Sequence, residues 1–285
     1  MRVVTRVPFR LVDVFAERPL EGNQLCVLPD SPDLDERLVR RLANEIGFSE
    51  TTWVLEAEPD RYRMRIFTPL TELPFAGHPS LGTAYTLAAL GKTSETVTQE
   101  VPAGSYRIEV DVKGETARMN QGRAVFAEEF QDRQAIADAI GLPLEALAHG
   151  LPAVPVSTGV FHLMVPLASA DVVRAAEPRM ERVAAVTKAA GTTAIYVFAI
   201  DGPRSAVARL FAPGVGVGED PATGSAAGPL GAYLDERGLT GELSISQGEN
   251  LGRPSILRAD PRDDGVWVSG GVHLVGEGVF DLPDD

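Results

Sequence analysis

Cysteine is almost absent from this chain, with Cys26 the only one among 285 residues. No intrachain disulfide and no cysteine-rich metal site can form, so nothing points to an oxidising compartment. Cys26 lies in the apolar run LCVL, where a free cysteine behaves as a small hydrophobic residue. We therefore expect Cys26 to be a buried core residue.

Basic residues are scarce, with 26 Lys and Arg against 40 Asp and Glu and a formal net charge of −14. Nucleic acids and anionic membranes attract clustered Lys and Arg, so neither is an expected partner. No apolar run reaches the length of a membrane-spanning helix. The first residues, MRVVTRVPFRLVDVF, alternate apolar and polar side chains as a strand does. These features predict a soluble, cytoplasmic protein that binds a small anionic metabolite locally.

Several common catalytic motifs are also missing. The four histidines show neither HxxH nor HExxH spacing, which argues against a zinc site. The chain has no GxSxG elbow and no GxxxxGK[ST] loop, and the glycines at 214–218 lead into Glu-Asp-Pro and not directly into a helix. The sequence therefore predicts no metal and no cofactor, and it removes the simplest hydrolases, NTPases and dinucleotide enzymes from consideration.

The chain does contain a repeated segment. RIFTPLTELPFAGHPSLGTAY at 65–85 has a second copy, RLFAPGVGVGEDPATGSAAGPLGAY, at 209–233. Each copy is typical of a strand, a glycine-bearing loop and a helix. The matched positions are Arg65 with Arg209, Phe67 with Phe211, Pro69 with Pro213, Glu72 with Glu219 and Gly77 with Gly224. The repeat predicts duplicated halves with a site where the two loops meet.

The order of the predicted elements repeats as well. Hydrophobic periodicity and turn residues predict two α+β halves, each a sheet wrapped around a helix. A helix capped by Asp33 and ended by Gly47 follows the first strands. The predicted strands lie at 9–14, 24–28, 53–55, 62–67, 106–112, 116–120, 153–156, 161–165, 194–200, 206–211, 243–246, 256–257, 266–269 and 279–282, and further helices at 79–90, 131–140, 178–190 and 224–234.

Each repeated loop ends at a predicted helix N-terminus. The first turn of a helix exposes unpaired N–H groups and partial positive charge, so small residues there let a carboxylate approach the backbone. The candidates are Gly77 and His78 in the first copy and Gly224, Ser225 and Ala226 in the second. A purely structural role for the glycines, in a tight strand-to-helix turn, is the alternative.

Few residues are candidates for proton transfer. Glu50 follows the first helix, and the matching place in the second half, Gly191-Thr192-Thr193, has no acid. An acid that is present in only one of two duplicated halves is expected of a catalytic residue. The alternative, which is the commoner one for any glutamate, is an exposed loop residue. Asp220 lies in the second loop, as a helix cap or facing a ligand. His78 lies in the first loop, where an imidazole titrates near neutral pH and can bind a carboxylate or exchange a proton. The alternative is a solvated or locally hydrogen-bonded loop histidine.

These motifs resemble the phenazine-biosynthesis PhzF-like family, which shares the diaminopimelate epimerase fold. The long matches are SETTWV at 49–54, FTPLTELPFAGHPSLGTA at 67–84 and EDPATGSAAGPL at 219–230, with shorter ones at 22–23, 158–165 and 247–255. The resemblance implies two similar domains, each a sheet or partial barrel around a central helix, related by a pseudo-twofold axis. Their expected ranges are 1–122, joined by a C-terminal strand at 274–285, and 123–273. A homodimer is also implied.

The resemblance implies roles for individual residues. In the characterised branch the family isomerises trans-2,3-dihydro-3-hydroxyanthranilate without a cofactor. Glu50 matches the residue that moves the proton, His78 and Asp220 match residues beside the substrate, and Gly224 with Ser225 matches the pair near its carboxylate. The further positions expected to bind substrate are Asn23, Ser49, Gly77, Thr223 and Ala226.

Two positions depart from the relatives. The racemases and epimerases of this fold use paired cysteines at the two loops, whereas this chain has Gly77 and Thr223 nearby. A two-cysteine mechanism is therefore excluded by composition. Gln24 stands where many family members carry proline, which changes the turn at the expected entrance to the site.

The hypothesis from the sequence is an isomerase that shifts a proton within one molecule. Glu50 would remove the proton from carbon and return it elsewhere, helped by a water-poor site that favours its neutral form. One alternative is an epimerase or racemase that uses Glu50 and Asp220 on opposite faces of a small amino or hydroxy acid. Another is a catalytically silent protein that binds a metabolite.

Overall fold

The computed structural model describes residues 4–31 and 33–283. They form two compact units, one from the described residues of Met1–Met119 and Gly270–Asp285 and the other from Asn120–Ser269. The division expected from the sequence falls at 122/123 and 273/274. The last two residues of the expected strand at 274–285 lie outside the described part of the chain. None of the described helices has the length and apolar character needed to cross a membrane.

The first unit is a closed barrel of eight strands. Each strand pairs with the next around the ring, and the last strand pairs with both the seventh and the first. The strands of this unit are β1 (Val4–Val14), β2 (Asn23–Leu28), β3 (Glu50–Glu58), β4 (Arg61–Phe67), the short β5 (Glu72–Leu73) beside β4, β6 (Thr96–Val101), β7 (Gly104–Asp111), β8 (Thr116–Asn120) and the second part of β17 (Gly265–Pro283).

Two helices belong to this unit. α1 (Glu36–Ile46) buries Val39 and Leu42 in a cluster that includes Cys26, so the expectation of a buried cysteine is confirmed. Burial raises the pKa of the Cys26 thiol to about 12. The predicted cap at Asp33 is wrong, because α1 begins later and the carboxylate of Asp35 accepts from the N–H of Arg37 at 2.7 Å.

The second helix, α2 (Gly77–Ala89), is buried from its first residue to Leu87. Such burial requires small residues where the helix meets the strands. A Cβ at Gly82 would lie 2.7 Å from the side chain of Leu25 and 2.8 Å from that of Val14. Gly82 is therefore needed for the close approach of α2 to β1 and β2.

The second unit has the same kinds of element in a similar order. Its strands and helices are β9 (Val125–Phe126), α3 (Arg133–Ile140), β10 (Val154–Ser157), β11 (Phe161–Pro166), α4 (Ala170–Arg174), α5 (Met180–Ala190), β12 (Ala194–Gly202), β13 (Ser205–Ala212), β14 (Val217–Asp220), α6 (Gly224–Asp235), β15 (Leu243–Gln247), β16 (Ser255–Arg262) and the first part of β17. One core cluster joins α3, α4 and α5 to β11, β12 and β13.

The pairing pattern recurs strand by strand. In the first unit β1–β2, β3–β4, β4–β5 and β6–β7 are antiparallel, while β2–β3 and β4–β6 are parallel. In the second unit β10–β11, β12–β13, β13–β14 and β15–β16 are antiparallel, while β11–β12 and β13–β15 are parallel. The mixed helix-and-sheet fold predicted from the sequence is confirmed. Strands β5, β6, β9 and β14 were not predicted.

Candidate functional site

The repeated arginine and glutamate form matching ion pairs at the ends of β4 and β13. Arg65 donates to both oxygens of Glu72 at 2.7 and 2.6 Å, and its guanidinium lies 5.1 Å from the ring centre of Phe67. Arg209 donates to both oxygens of Glu219 at 2.7 and 2.8 Å. Bidentate pairs of this kind fix orientation as well as distance. They hold each loop against its strand just before a buried helix begins.

Both helices begin without a capping side chain in the described structure. The N-cap residues are Ala76 for α2 and Thr223 for α6, and neither side chain accepts a hydrogen bond from its helix. The first turn of each helix carries no acidic residue. Both helix starts therefore retain the partial positive charge that favours a bound carboxylate. Gly77 and Gly224, predicted to bind substrate, are the first residues of these helices.

In the first unit, three predicted residues form a hydrogen-bonded chain. The Ser49 hydroxyl donates to Oδ1 of Asn23 at 2.9 Å, and Nδ2 of Asn23 lies 3.2 Å from Nδ1 of His78. The imidazole also forms a hydrogen bond with the backbone of Gln24. Which ring nitrogen carries the proton depends on the tautomer.

Glu50 faces the other nitrogen of this ring. It is the first residue of β3, and its Oε2 lies 3.5 Å from Nε2 of His78. Glu50 is 9% exposed and His78 is 3% exposed. Burial lowers the pKa of His78 to about 3, opposed by a hydrogen bond with the backbone of Gln24. The exposed-loop alternative for Glu50 and the solvated alternative for His78 are therefore wrong, and the unit places a buried carboxyl beside a neutral imidazole.

In the second unit, a buried glutamine orders the start of α6. The Thr223 hydroxyl donates to Oδ2 of Asp220 at 2.5 Å. Nε2 of Gln247 donates to the backbone oxygen of Asp220 at 2.8 Å and to the Thr223 hydroxyl at 3.1 Å. Oε1 of Gln247 accepts from the Tyr196 hydroxyl at 3.0 Å and from the Thr223 N–H at 3.3 Å. These bonds fix the carboxyl of Asp220 next to the helix start.

A histidine that sequence reasoning left unassigned also reaches α6. Nε2 of His162 lies 3.1 Å from the Ser225 hydroxyl, and its Nδ1 lies 3.2 Å from the hydroxyl of Thr193. His162 is buried, which lowers its pKa to about 4. Ser225 is half-buried.

The structure thus groups the predicted residues within each unit. In the first unit Glu50 and His78 come together with Asn23, Ser49 and Gly77, and in the second Asp220 comes together with Thr223, Gly224, Ser225 and Ala226. Sequence reasoning missed Gln247 and His162. Both stand in motifs that carried the family resemblance, QGENLGRPS and TGVFHLMV, and that was the one signal available. Nowhere between residues 4 and 283, Pro32 aside, do three His, Cys, Asp or Glu gather as metal ligands would.

Known proteins similar to this chain include isomerases. It is 36% identical over 287 residues to the trans-2,3-dihydro-3-hydroxyanthranilate isomerase of Pseudomonas chlororaphis, with 95% of this chain and 98% of the relative covered. It is 31% identical over 276 residues to the uncharacterised isomerase YddE of Escherichia coli strain K12, with 91% and 93% covered. The chain is an enzyme of the isomerase class.

The family follows from a second comparison. The family model described as phenazine biosynthesis-like protein matches residues 12–279. The chain belongs to this family, as the motifs predicted. Among solved structures, that of a predicted epimerase from Pseudomonas aeruginosa superposes with a TM-score of 0.86 at 34% identity, covering 98% of this chain and 100% of the other.

Proposed function

We propose that this isomerase moves a proton between two positions of a small carboxylate-bearing metabolite, with Glu50 as the group that carries it. The observation that carries the proposal is the 3.5 Å approach of Oε2 of Glu50 to Nε2 of a buried His78. Burial of a carboxyl group favours its neutral form over the charged carboxylate. Glu50 then accepts a proton as a base and returns it as an acid.

His78 supports this role as a hydrogen-bond donor and not as the base. Because burial lowers its pKa to about 3, its ring is neutral near pH 7. With its proton on Nε2, the ring would direct an N–H group toward Glu50. Such a donor stabilises negative charge on the Glu50 carboxylate or on the substrate as the proton leaves carbon.

The start of α6 is proposed to bind the substrate carboxylate. The backbone N–H groups of Gly224 and Ser225 lie in the first turn of a helix without an acidic first turn or a capping side chain. Asp220, fixed by Thr223 and Gln247, contacts a polar group of the substrate or relays a proton. The first turn of α2, at Gly77, has the same character in the other unit.

The finer features of the proposal stay predictions. They are a pseudo-twofold relation between the units, a ligand shared by both, a homodimer, catalysis without metal or cofactor, and a substrate of the trans-2,3-dihydro-3-hydroxyanthranilate type. The last is supported by the name of the relative from Pseudomonas chlororaphis. Proteins can share a fold and the position of a catalytic acid while their pockets bind different substrates. The substrate of this protein therefore has to be found by experiment.

Epimerisation is a second candidate, favoured by the name of the similar structure from Pseudomonas aeruginosa. It would use Glu50 and Asp220 on opposite faces of the substrate, one to remove a proton and the other to add one. Racemisation in heavy water labels a stereocentre without changing connectivity, whereas isomerisation changes the ultraviolet spectrum. A silent metabolite-binding protein would be stabilised by its ligand and incorporate no deuterium.

The proposal is tested with a metabolite panel in heavy water, including trans-2,3-dihydro-3-hydroxyanthranilate, read out by mass spectrometry. We expect one compound to gain deuterium with the wild-type protein, and Glu50→Gln to slow this at least about 100-fold, since a positioned acid–base group contributes at least that much. Glu56→Gln, an exposed glutamate of the same strand that pairs with Arg63, is the matched control. Exchange by Glu50→Gln at the wild-type rate would refute the assignment of the base.

A further inference from the structure

The side chain of Gln121 reaches the first turn of α6 from outside the helix. Its Nε2 donates to the backbone oxygen of Gly224 at 3.0 Å, and its Oε1 accepts from the Thr158 hydroxyl at 2.7 Å. Gln121 and Thr158 are both buried. The backbone is held as well, because the N–H of Gln121 donates to the oxygen of Val266 at 2.9 Å. Main chain and side chain of Gln121 are therefore both fixed.

The amide of Gln121 has one orientation that suits both side-chain contacts. A carbonyl oxygen such as that of Gly224 only accepts, so the atom facing it is the amide nitrogen. An amide cannot turn its hydrogens aside as a hydroxyl group does, and the reversed amide would place two carbonyl oxygens 3.0 Å apart. Oε1 then faces Thr158 and accepts its hydrogen.

Space for this glutamine is left by Gly228, which lies inside α6. A Cβ at position 228 would overlap Oε1 of Gln121 and lie 3.1 Å from the hydroxyl oxygen of Thr158. Glycine in a helix interior is less favourable than alanine. The glycine is therefore explained by the glutamine that it accommodates, and the three residues form one packed group.

The contact matters because of the peptide group that it reaches. The N–H of Ala226 already donates to the backbone oxygen of Thr223 at 3.0 Å, and the N–H of Thr223 donates to Oε1 of Gln247 at 3.3 Å. In the proposed function, the N–H groups of Gly224 and Ser225 bind the carboxylate. The oxygen of Gly224 and the N–H of Ser225 belong to one planar peptide group.

A donor on the oxygen of Gly224 has two effects on the N–H of Ser225. It holds the plane of their shared peptide group, which fixes the direction of the N–H bond. It also draws electron density toward the oxygen, and hydrogen bonds linked in this way strengthen one another by roughly 10–30%. Both effects favour an anion bound at the N–H.

We propose that Gln121 is a positioning residue for the carboxylate site, acting through the peptide group between Gly224 and Ser225, with Thr158 and Gly228 holding it in place. This rests on the proposed function and adds to it a residue that acts without touching the ligand. It assigns the donor strength of one particular N–H group to a side chain outside the helix.

The neighbouring N–H provides an internal control. The N–H of Gly224 shares its peptide group with the oxygen of Thr223, which accepts from the N–H groups of Ala226 and Ala227, each at 3.0 Å. The side chain of residue 121 contacts the next peptide group along the chain. Loss of this glutamine should therefore weaken the hydrogen bond from residue 225 and spare the one from Gly224.

The test follows both amide protons by NMR while benzoate, a simple carboxylate, is added to the full chain. In wild type, saturating benzoate should shift the amide protons of Gly224 and Ser225 downfield, as hydrogen bonds to a carboxylate do. Gln121→Met keeps approximate size and removes both side-chain hydrogen bonds. It should reduce the shift of Ser225, retain that of Gly224 and weaken benzoate binding about fivefold, the ratio one net hydrogen bond gives.

Two further variants separate positioning from general damage. Thr158→Val retains Gln121 but removes the bond to its Oε1, so the same changes should appear to a smaller extent, and it takes the place of Gln121→Met if that variant does not fold. Gln131→Met, at an exposed glutamine that donates to the backbone oxygen of Glu129 at 3.4 Å, is the matched control. It should leave both shifts and the affinity as in wild type.

The outcomes distinguish this inference from the proposed function. A response of Ser225 in wild type, with the same response and affinity in Gln121→Met, would overturn the inference alone. Equal loss of the Gly224 and Ser225 responses would do the same, because it would show general disruption of the helix start. If wild type did not bind benzoate, or bound it without a response of either amide, the carboxylate site of the proposed function would fall, and this inference with it.

Discussion

Asn23 fixes the imidazole of His78 from the side opposite Glu50. Its Nδ2 lies 3.2 Å from Nδ1, while Oε2 of Glu50 lies 3.5 Å from Nε2. Asn23 is 1% exposed, and its own carbonyl oxygen accepts from Ser49. Because Asn23 is itself held by Ser49, the orientation of the His78 ring is fixed by contacts within the first unit.

Asn23→Asp should raise the pKa of His78 from its lowered value of about 3 by at least about one unit. A carboxylate at this position attracts a proton to Nδ1 and stabilises the imidazolium. The measurement is an NMR titration of the histidine ring. Asn44→Asp, at an exposed position of α1, serves as the control. An unchanged titration of His78 in Asn23→Asp would contradict the contact.

Stability should fall as pH is lowered through the range in which unfolded histidine gains a proton. The pKa values of His78 and His162 are lowered to about 3 and about 4, whereas unfolded histidine titrates near 6.5. Between these values the unfolded chain binds protons that the native chain does not, so the free energy of unfolding decreases with falling pH. Each histidine should contribute roughly 2 kcal/mol of loss between pH 7 and pH 5.

Urea unfolding of His162→Gln at both pH values isolates one of these contributions. The variant should lose roughly 2 kcal/mol less than wild type over the same interval, because the replaced group no longer titrates. Replacing His149, which is exposed, by Gln should leave the wild-type pH dependence in place. Identical pH dependence in His162→Gln and wild type would show that His162 is not buried as a neutral ring.

Arg209→Ala should destabilise the protein by about 3–5 kcal/mol, because it leaves the nearly buried Glu219 without its partner. Arg209 also donates to three backbone oxygens, those of Val173, Arg174 and Ala176. Arg65→Ala should cost less, since the side chains of Arg65 and Glu72 are each 23% exposed, against 8% and 13% for the other pair. Chemical denaturation compares the two. A larger loss in Arg65→Ala would contradict this ranking.

Gln247→Leu should destabilise the protein by several kcal/mol and weaken ligand binding at the start of α6. The change keeps approximate size but removes four hydrogen bonds, leaving buried groups of Tyr196, Asp220 and Thr223 without them, each at about 1–3 kcal/mol. Urea unfolding and benzoate titration measure the two effects. Gln134→Leu, at an exposed residue of α3, should affect neither.

Gly82→Ala should destabilise the barrel by about 1–3 kcal/mol, because the added methyl group overlaps Leu25 and Val14. Gly214→Ala is the matched control, since a Cβ there meets nothing within 4 Å, and it should change the free energy of unfolding by less than about 0.5 kcal/mol. Equal effects of the two substitutions in urea unfolding would mean that α2 does not pass so closely to the strands.

The ends of several helices could be predicted from the sequence because a glycine in the left-handed conformation ends a helix. Gly47 and Gly191 both adopt the left-handed conformation, with φ of 69° and 66°, at the predicted ends of α1 and α5. The α2 and α6 regions were found from their repeated sequence. Cap positions were less certain, because Asp33 and Asp35 are both suitable residues and packing of the helix decides which one is used.

The missing strands have physical explanations. β6 has the sequence TVTQEV, and its Gln99 is buried, where it accepts a hydrogen bond from Tyr62 at 2.7 Å. A polar residue on the inward face hides the apolar alternation that identifies a strand. β17 was predicted as two short strands, because Gly270, Gly271, Gly276 and Gly278 are typical of turns.

Site residues could be predicted from the sequence only in two cases. Either the residue occurs in one of the two repeated halves alone, or the family resemblance supports it. Glu50, His78 and Asp220 were proposed on that basis. His162 and Gln247 depend on partners 63 and 24 residues away, Ser225 and Thr223. No local pattern specifies such pairs, because the sheet brings them together.

The long strand β17 has a consequence for the order in which the chain folds. Its second part closes the barrel by pairing with β1, as in Val7 opposite Phe280 and Val14 opposite Val272. During synthesis β1 emerges before the whole of the second unit, whereas the part of β17 that pairs with β1 emerges after that unit. The second unit, confined to Asn120–Ser269, has all of its residues available sooner. The N-terminal barrel should therefore be the later of the two units to complete folding on the ribosome.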